Sequence, residues 1–374
     1  MVSLRVIIDE ILTPLSGGAP RYAEELTRAL IAACPRGASV EGIISASTEA
    51  DYEEIAARLP GLSGLFKSAL ARRELRRAWH RGFTRLPGGG MIHSPSLLAP
   101  LARHDRLNSD GNQTIVTIHD TVAWTHPEAI GSRSAHWYQG MAARAQRYAD
   151  AIVVPTHATA ARLAELLDVG DRLRVIEGAA STGLLVPEDA DERLRRLGLG
   201  ARFVVTTGGT TAPHGSRDVL AAIAHLDADV QLAVLDAESG DVIAANATEL
   251  GIEQDRVIAL DRLEQTERAA VLDRAIVVVL AGEEVGFGLP MLDAFSLGTP
   301  VIHSDHDTAV EIAADAGLVV PGGDELPERL AAAVRTIIED SEARDRLAVS
   351  GQDRAGAFNW RSTAEKTWQL HADL

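Results

Sequence analysis

The sequence predicts an α/β protein built from two doubly wound, Rossmann-like domains, and three observations carry that prediction. Short β-branched runs alternate with helical stretches along the chain. The alternation breaks once, over residues 180–200, and then starts again. A chain of 374 residues is also long for one core and suits two of ordinary size. The hydrophobic fraction of 46% with only 4% aromatic residues fits sheets made of Val, Ile, Leu and Ala.

In the first half, strands are expected near 4–8, 40–44, 92–93, 114–118, 152–155 and 174–176, with helices over 21–33, 135–148 and 158–167. Strands alternating with helices imply right-handed βαβ units and a parallel sheet covered on both faces. Residues 180–200 bring Ser, Thr, Gly and Pro and then a charged stretch, which reads as an interdomain connection. The second series places strands near 203–206, 231–235, 257–260, 276–280, 301–303 and 318–320, with helices over 216–225, 290–297 and 325–339. The expected domains are therefore 1–180 and 200–357. Open sheets of this kind bind ligands at the carboxyl ends of their strands, so a crevice between the two is expected to hold the site.

Composition narrows the function classes. The formal charge of −17 argues against nucleic-acid binding, which needs a basic field. No run approaches the ~18–20 apolar residues of a membrane span. Residues 1–11 read as a strand broken by Arg5, Asp9 and Glu10 rather than as a signal peptide. One cysteine, Cys34, cannot form an intrachain disulfide. A cytoplasmic location is expected.

Three stretches can carry chemistry. Gly17-Gly18 lies between the first strand and its helix, where glycine allows a ligand to approach backbone N–H groups. A plain strand-to-helix turn would use the same residues. His119-Asp120 ends the strand over 114–118, so the imidazole is expected to project toward a ligand and bind a hydroxyl or steady developing charge. A satisfied structural histidine is the competing reading. The most specific signal is the run from Val285 to Ile302, in which a strand enters the Gly286-Phe287-Gly288-Leu289-Pro290 loop and a helix bearing Asp293. Amides at that helix start can receive a diphosphate, and the helix acid can reach ribose hydroxyls.

With these residues in view, the chain resembles the family-4 retaining glycosyltransferases over essentially its whole length. The resemblance runs in order through Gly17-Gly18, Ile92-His93-Ser94-Pro95, Thr117-Ile118-His119-Asp120, Val154-Pro155-Thr156, Gly286-Phe287-Gly288-Leu289-Pro290, Gly298-Thr299-Pro300-Val301 and Phe358-Asn359-Trp360. It implies a GT-B fold whose last helix, within 358–374, crosses back onto the first, acceptor-side domain. It also implies a nucleotide-sugar donor, a lipid-linked or glycan acceptor in cell-envelope or glycan biosynthesis, and front-face displacement with retention. No cofactor and no metal is implied. His119 would contact the donor sugar and Asp293 the ribose. The implied donor contacts are Gly17, Gly18, Gly209, Thr210, His214, Arg217, Gly286, Phe287, Gly288 and Leu289.

The donor half departs from the family pattern. Its two acids, eight residues apart, read Val285 and Asp293, with Glu283 and Glu284 adjacent but out of register. The Arg and Lys that would hold the diphosphate read His214 and Gly215, and glycine supplies no charge. The chain has only two lysines, Lys67 and Lys366; Arg217 and the more distant Arg262 are the cations left to substitute. Asp236 stands where a glycine is usual and would repel a diphosphate. A catalytically silent subunit, paired with an active glycosyltransferase, is therefore the alternative to an enzyme. A sugar-nucleotide epimerase on the same frame fits the spacing less well.

One charge anomaly remains. Between Lys67 and Arg85 seven basic residues face the single acid Glu74. Leu62, Leu65, Phe66, Ala69 and Leu70 recur at helical spacing, and Trp79 and Phe83 follow. The expectation is an amphipathic element, with Arg72, Arg73, Arg76 and Arg77 as a patch for an anionic membrane surface, which would make the protein peripheral on the inner face of the plasma membrane. An ordinary packed helix with solvated arginines is the alternative.

Overall fold

A computed structural model describes residues 2–13, 18–83, 90–105, 111–208, 215–237, 239–261, 263–283 and 286–374. Gly17, Gly209, Thr210, His214, Arg262, Glu284 and Val285, all singled out from the sequence, lie outside the described residues. The chain forms two compact units. The first takes the described residues of Met1–Pro14 and Gly18–Gly178 together with Asn359–Leu374, and the second those of Ala179–Phe358.

The first unit holds seven strands: β1 (Val2–Ile7), β2 (Ala38–Ala46), β3 (Gly64–Ala71), β4 (Met91–Ser94), β5 (Gln113–Thr117), β6 (Ala151–Val154) and β7 (Leu173–Val175). They pair in the order β3-β2-β1-β4-β5-β6-β7, every pair parallel. Both faces are covered, so the inner strands are apolar without alternation; β6 (Ala-Ile-Val-Val) is buried at all four positions. The final helix, Trp360–Asp373, is capped by the Asn359 side chain accepting from the Ser362 N–H. It lies against helix Gly18–Ala32, where the Trp368 indole donates to the Leu30 carbonyl at 3.1 Å, and Leu370 joins Ile115, Val153 and Ile176 in the core.

Strand β3 corrects the expected amphipathic element. Leu65, Phe66, Ala69 and Leu70 belong to an edge strand paired with β2, because Gly42 of β2 leaves room for Leu65 and Phe66 packs on a core of Ile7, Ile43, Leu75 and Trp79. The helix begins only at Arg72 and ends at His80. Half-buried and exposed residues alternate poorly on an edge, which is why the apolar spacing imitated a helix.

The second unit holds β8 (Phe203–Thr207), β9 (Gln231–Leu235), β10 (Val257–Leu260), β11 (Val278–Leu280), β12 (Val301–Ser304) and β13 (Leu318–Val320). Their order is β10-β9-β8-β11-β12-β13, again wholly parallel. Separate apolar clusters cover its two faces, one around Val204, Val279 and Leu330 and the other around Phe203, Val278 and Phe295. In each sheet the strand order reverses once, between β1 and β4 and between β8 and β11, and such switch points are where open sheets receive ligands.

Candidate functional site

In the first unit, His119 follows β5 and is half-buried. Its Nε2 donates to the Pro95 carbonyl at 2.8 Å, which fixes the tautomer and leaves Nδ1 as the acceptor. The ring meets Tyr22 edge-on at 4.7 Å, and Tyr22 in turn meets Trp360 of the last helix at 5.6 Å. Burial holds the imidazole below its ordinary pKa, against the opposing pulls of the Pro95 carbonyl and the nearby Glu10 carboxylate. A neutral histidine facing the ends of the strands can exchange hydrogen bonds with a sugar hydroxyl.

Around it stands a cluster that sequence reasoning missed. Asp9 and Glu10 begin the 3-10 turn Asp9–Leu12 after β1. The Asp9 carboxylate accepts from the Ser45 N–H at 2.8 Å and lies 3.5 Å from Arg72. The Arg72 guanidinium donates to Glu10 at 2.7 Å and to the Asp9 carbonyl. Ser96, after β4, reaches the second Glu10 oxygen at 3.4 Å. Tyr138 is 38% exposed overall, but desolvation of its phenol foremost, with the fields of Glu10 and Asp120 against those of Arg76 and Arg72, pushes that group up to about 12. The available signal was the acid pair directly after an apolar strand.

This arrangement divides the arginines expected on one patch. Arg72 is turned inward to the two acids, and Arg76 lies over the Trp137 ring at 4.1 Å. Arg73, Arg77 and Arg81 are exposed, with Phe83 beside them 74% exposed.

In the second unit, two helices start at the β8/β11 switch point. Gly215 (φ +66°) precedes helix Ser216–Ile223, and Gly288 (φ +72°) precedes helix Leu289–Ser296. Gly215 and Gly288, the residues that precede these helices, have no side chain to cap them, and both first turns lie at the strand ends where open sheets receive anions. Gly215 packs directly on the Ala281–Gly282 peptide after β11: a Cβ there would lie 2.4 Å from the Ala281 carbonyl carbon. A Cβ on Gly288 would lie 2.5 Å from Ile312. Gly215 is thus a close-contact position that brings the two loops together, and not a slot from which a lysine has been lost. Gly286 is also left-handed (φ +55°), while Phe287 and Leu289 are buried and anchor the turn.

The charged residues of this unit differ from expectation in three ways. Asp293 is fully buried, and its carboxylate accepts from the Ser181 N–H at 2.7 Å and hydroxyl at 3.3 Å. It ties residues at the start of the connecting segment to its helix and is not an open acid aimed at a ribose. Asp236 has φ +54°, the conformation that explains a glycine at this turn, but its carboxylate is paired with the buried Arg268 guanidinium. It is therefore neutralised locally and does not present a bare charge. Arg217 is exposed and only 3.7 Å from Glu249, a weak surface pair. Behind it, Asp218 is held above the ordinary carboxylate range by burial and by Glu283, with Arg217 pulling the other way.

Two family models match in tandem: Glycosyltransferase Family 4 over residues 16–182 and Glycosyl transferases group 1 over residues 199–354. The chain belongs to the family-4 glycosyltransferases. Each of the two models falls on one doubly wound unit, and solved structures of GT-B glycosyltransferases match the fold. Sucrose-phosphate synthase from Thermosynechococcus elongatus aligns with a TM-score of 0.75 at 20% identity, covering 100% of this chain and 99% of the other. Anabaena HepE in complex with UDP-glucose aligns at 0.71 with 16% identity and covers all of both chains. Among curated relatives, the D-inositol 3-phosphate glycosyltransferase of Corynebacterium glutamicum is 29% identical over 54% of this chain and 52% of its own length. The chain thus spans about half the length of the curated relatives it matches. No helix among its described residues is long and apolar enough to cross a membrane.

Proposed function

We propose that this family-4 glycosyltransferase moves a sugar from a nucleotide-sugar to an acceptor in glycan or cell-envelope biosynthesis, with retention of anomeric configuration. The observation that carries the reading is the pair of helix starts after Gly215 and Gly288 at the β8/β11 switch point, where Gly215 packs on the Ala281–Gly282 peptide. Oriented amides there stabilise the charge of a departing diphosphate, with Arg217 as an added cation. His119 of the first unit supplies a neutral hydrogen-bonding group for a sugar hydroxyl. UDP-glucose, which HepE binds, is the first donor to test. Calorimetric titration with nucleoside diphosphates and an NMR assay of the product anomer test the reading; transfer with inversion, or no transfer with any donor, overturns it.

A second reading, a catalytically silent subunit paired with an active relative, is favoured by Asp218 and Glu283 near the first helix start and by the buried Asp293. Turnover by the purified protein alone removes it. We further propose that the exposed Arg73, Arg77 and Arg81, with Phe83, face an anionic membrane, where each cation contributes ~1 kcal/mol. Reversing the three to Glu is expected to abolish sedimentation with phosphatidylserine vesicles at low salt; unchanged sedimentation sinks the idea.

A further inference from the structure

We propose that the side-chain cluster at the carboxyl ends of β1, β4 and β5 binds an uncharged, hydroxyl-rich acceptor in preference to a phosphorylated one, with Glu10 as the residue that decides. The inference rests on the transferase reading and names the acceptor class of that activity. Its place in the fold follows from topology, since the strand order of the first sheet reverses between β1 and β4. Glu10 follows β1, Ser96 follows β4, and His119 and Asp120 follow β5.

The charges in this pocket are already matched. Arg72 is the cation best placed to bind a phosphate, but it is committed to the Glu10 carboxylate at 2.7 Å, the Asp9 carbonyl and the Asp9 carboxylate at 3.5 Å. Arg76 is stacked on Trp137. The Glu10 carboxylate is thus matched by Arg72, and His119 is held neutral by burial. A phosphate dianion would have to displace Glu10 from a charge-assisted pair to gain one of its own. An uncharged polyol meets no such cost. Its hydroxyls can donate to Glu10, which keeps a lone pair beyond those used by Arg72, Ser96 and Thr13. Arg72 is then a positioning residue that holds the Glu10 carboxylate, and Glu10 touches the acceptor. The relatives named D-inositol 3-phosphate glycosyltransferase carry a phosphate in their acceptor's name; this pocket points to a different acceptor charge.

The test titrates the full chain, without donor, against matched cyclitols and hexosides with and without a monophosphate. The unmodified protein is expected to bind an uncharged member at least 10-fold more tightly than its phosphate. Glu10→Gln frees Arg72 and is expected to reverse the order, tightening the phosphorylated ligand about 10-fold and weakening the uncharged one. Glu10→Asp keeps the charge and the original order, and thermal melting checks that both variants fold. A phosphorylated ligand as the tightest binder, equal effects of Glu10→Gln on both classes, or no binding by either class overturns the inference. UDP titration of the same samples reads the transferase proposal separately. UDP binding with no discrimination between the two classes defeats only the acceptor inference. Discrimination without UDP binding defeats only the transferase reading.

Discussion

The switch points of the two units solve opposite problems. At β1/β4 the chain gathers side chains from five segments: Arg72 and Ser96 hold the Glu10 carboxylate, and His119 and Tyr138 lie in its field. At β8/β11 it gathers backbone: two helices start after left-handed glycines, one of which packs on the Ala281–Gly282 peptide, with the exposed Arg217 in the first turn. A set of matched charges suits a ligand of neutral hydroxyls, whose recognition depends on direction. Helix-start amides suit a polyphosphate, whose recognition depends on concentrated charge. The contrast also says where each unit is fragile. The backbone site fails when a side chain is added, and the side-chain site fails when one is removed.

The largest expected effect comes from adding a side chain to the backbone site. Gly215→Lys restores a cation by sequence logic, yet its Cβ would enter the Ala281–Gly282 peptide at a left-handed residue. Loss of about 3 kcal/mol or more of second-unit stability is expected, with weaker nucleotide binding. Denaturant unfolding that matched the unmodified protein would mean the two loops are not in contact.

Next comes acid. His93 and His371 are buried against each other, His371 Nε2 lying 3.3 Å from His93 Nδ1, and the other His371 ring nitrogen meets Gln113 at 3.0 Å. Burial pushes His93 down to about 4 and His371 well below its ordinary value, the latter also through His93. The unfolded chain binds protons that the folded one refuses. Stability is therefore full above pH ~6.5 and falls as pH drops toward 4, by roughly 3 kcal/mol from His93 alone. Hydrogen exchange should show the loss around helix Trp360–Asp373. A first unit equally protected at pH 4.5 and 7.5 would contradict the pairing.

Removing a side chain from the first unit should act on turnover. His119→Ala is expected to lower kcat/KM about 100-fold, the scale of one lost hydrogen bond to developing charge, while UDP affinity changes less than 2-fold. An equal loss of UDP affinity would erase the division of labour between the units. The smallest effect is expected for Arg217→Ala. If amides carry the diphosphate, UDP affinity falls about 3-fold by calorimetry; a drop beyond 30-fold would make the cation the principal contact.

The alternation of β-branched runs and helical stretches determined the two parallel sheets, because parallel strands buried on both faces must be apolar throughout. The position of His119 was equally legible, since a residue ending a buried strand has only one end of the sheet to occupy. Three things were decided only in tertiary structure. Leu65 and Phe66 pair beside β2 because Gly42 leaves space for them, a fact their own spacing does not contain. Asp236 and Arg268, 32 residues apart, neutralise each other because a turn after β9 meets a helix. Gly215 looked like a missing charge and proved to be a close contact. Sequence register says which residue type is absent from a motif, whereas the neighbouring peptide, Ala281–Gly282, decides whether any side chain could have stood there.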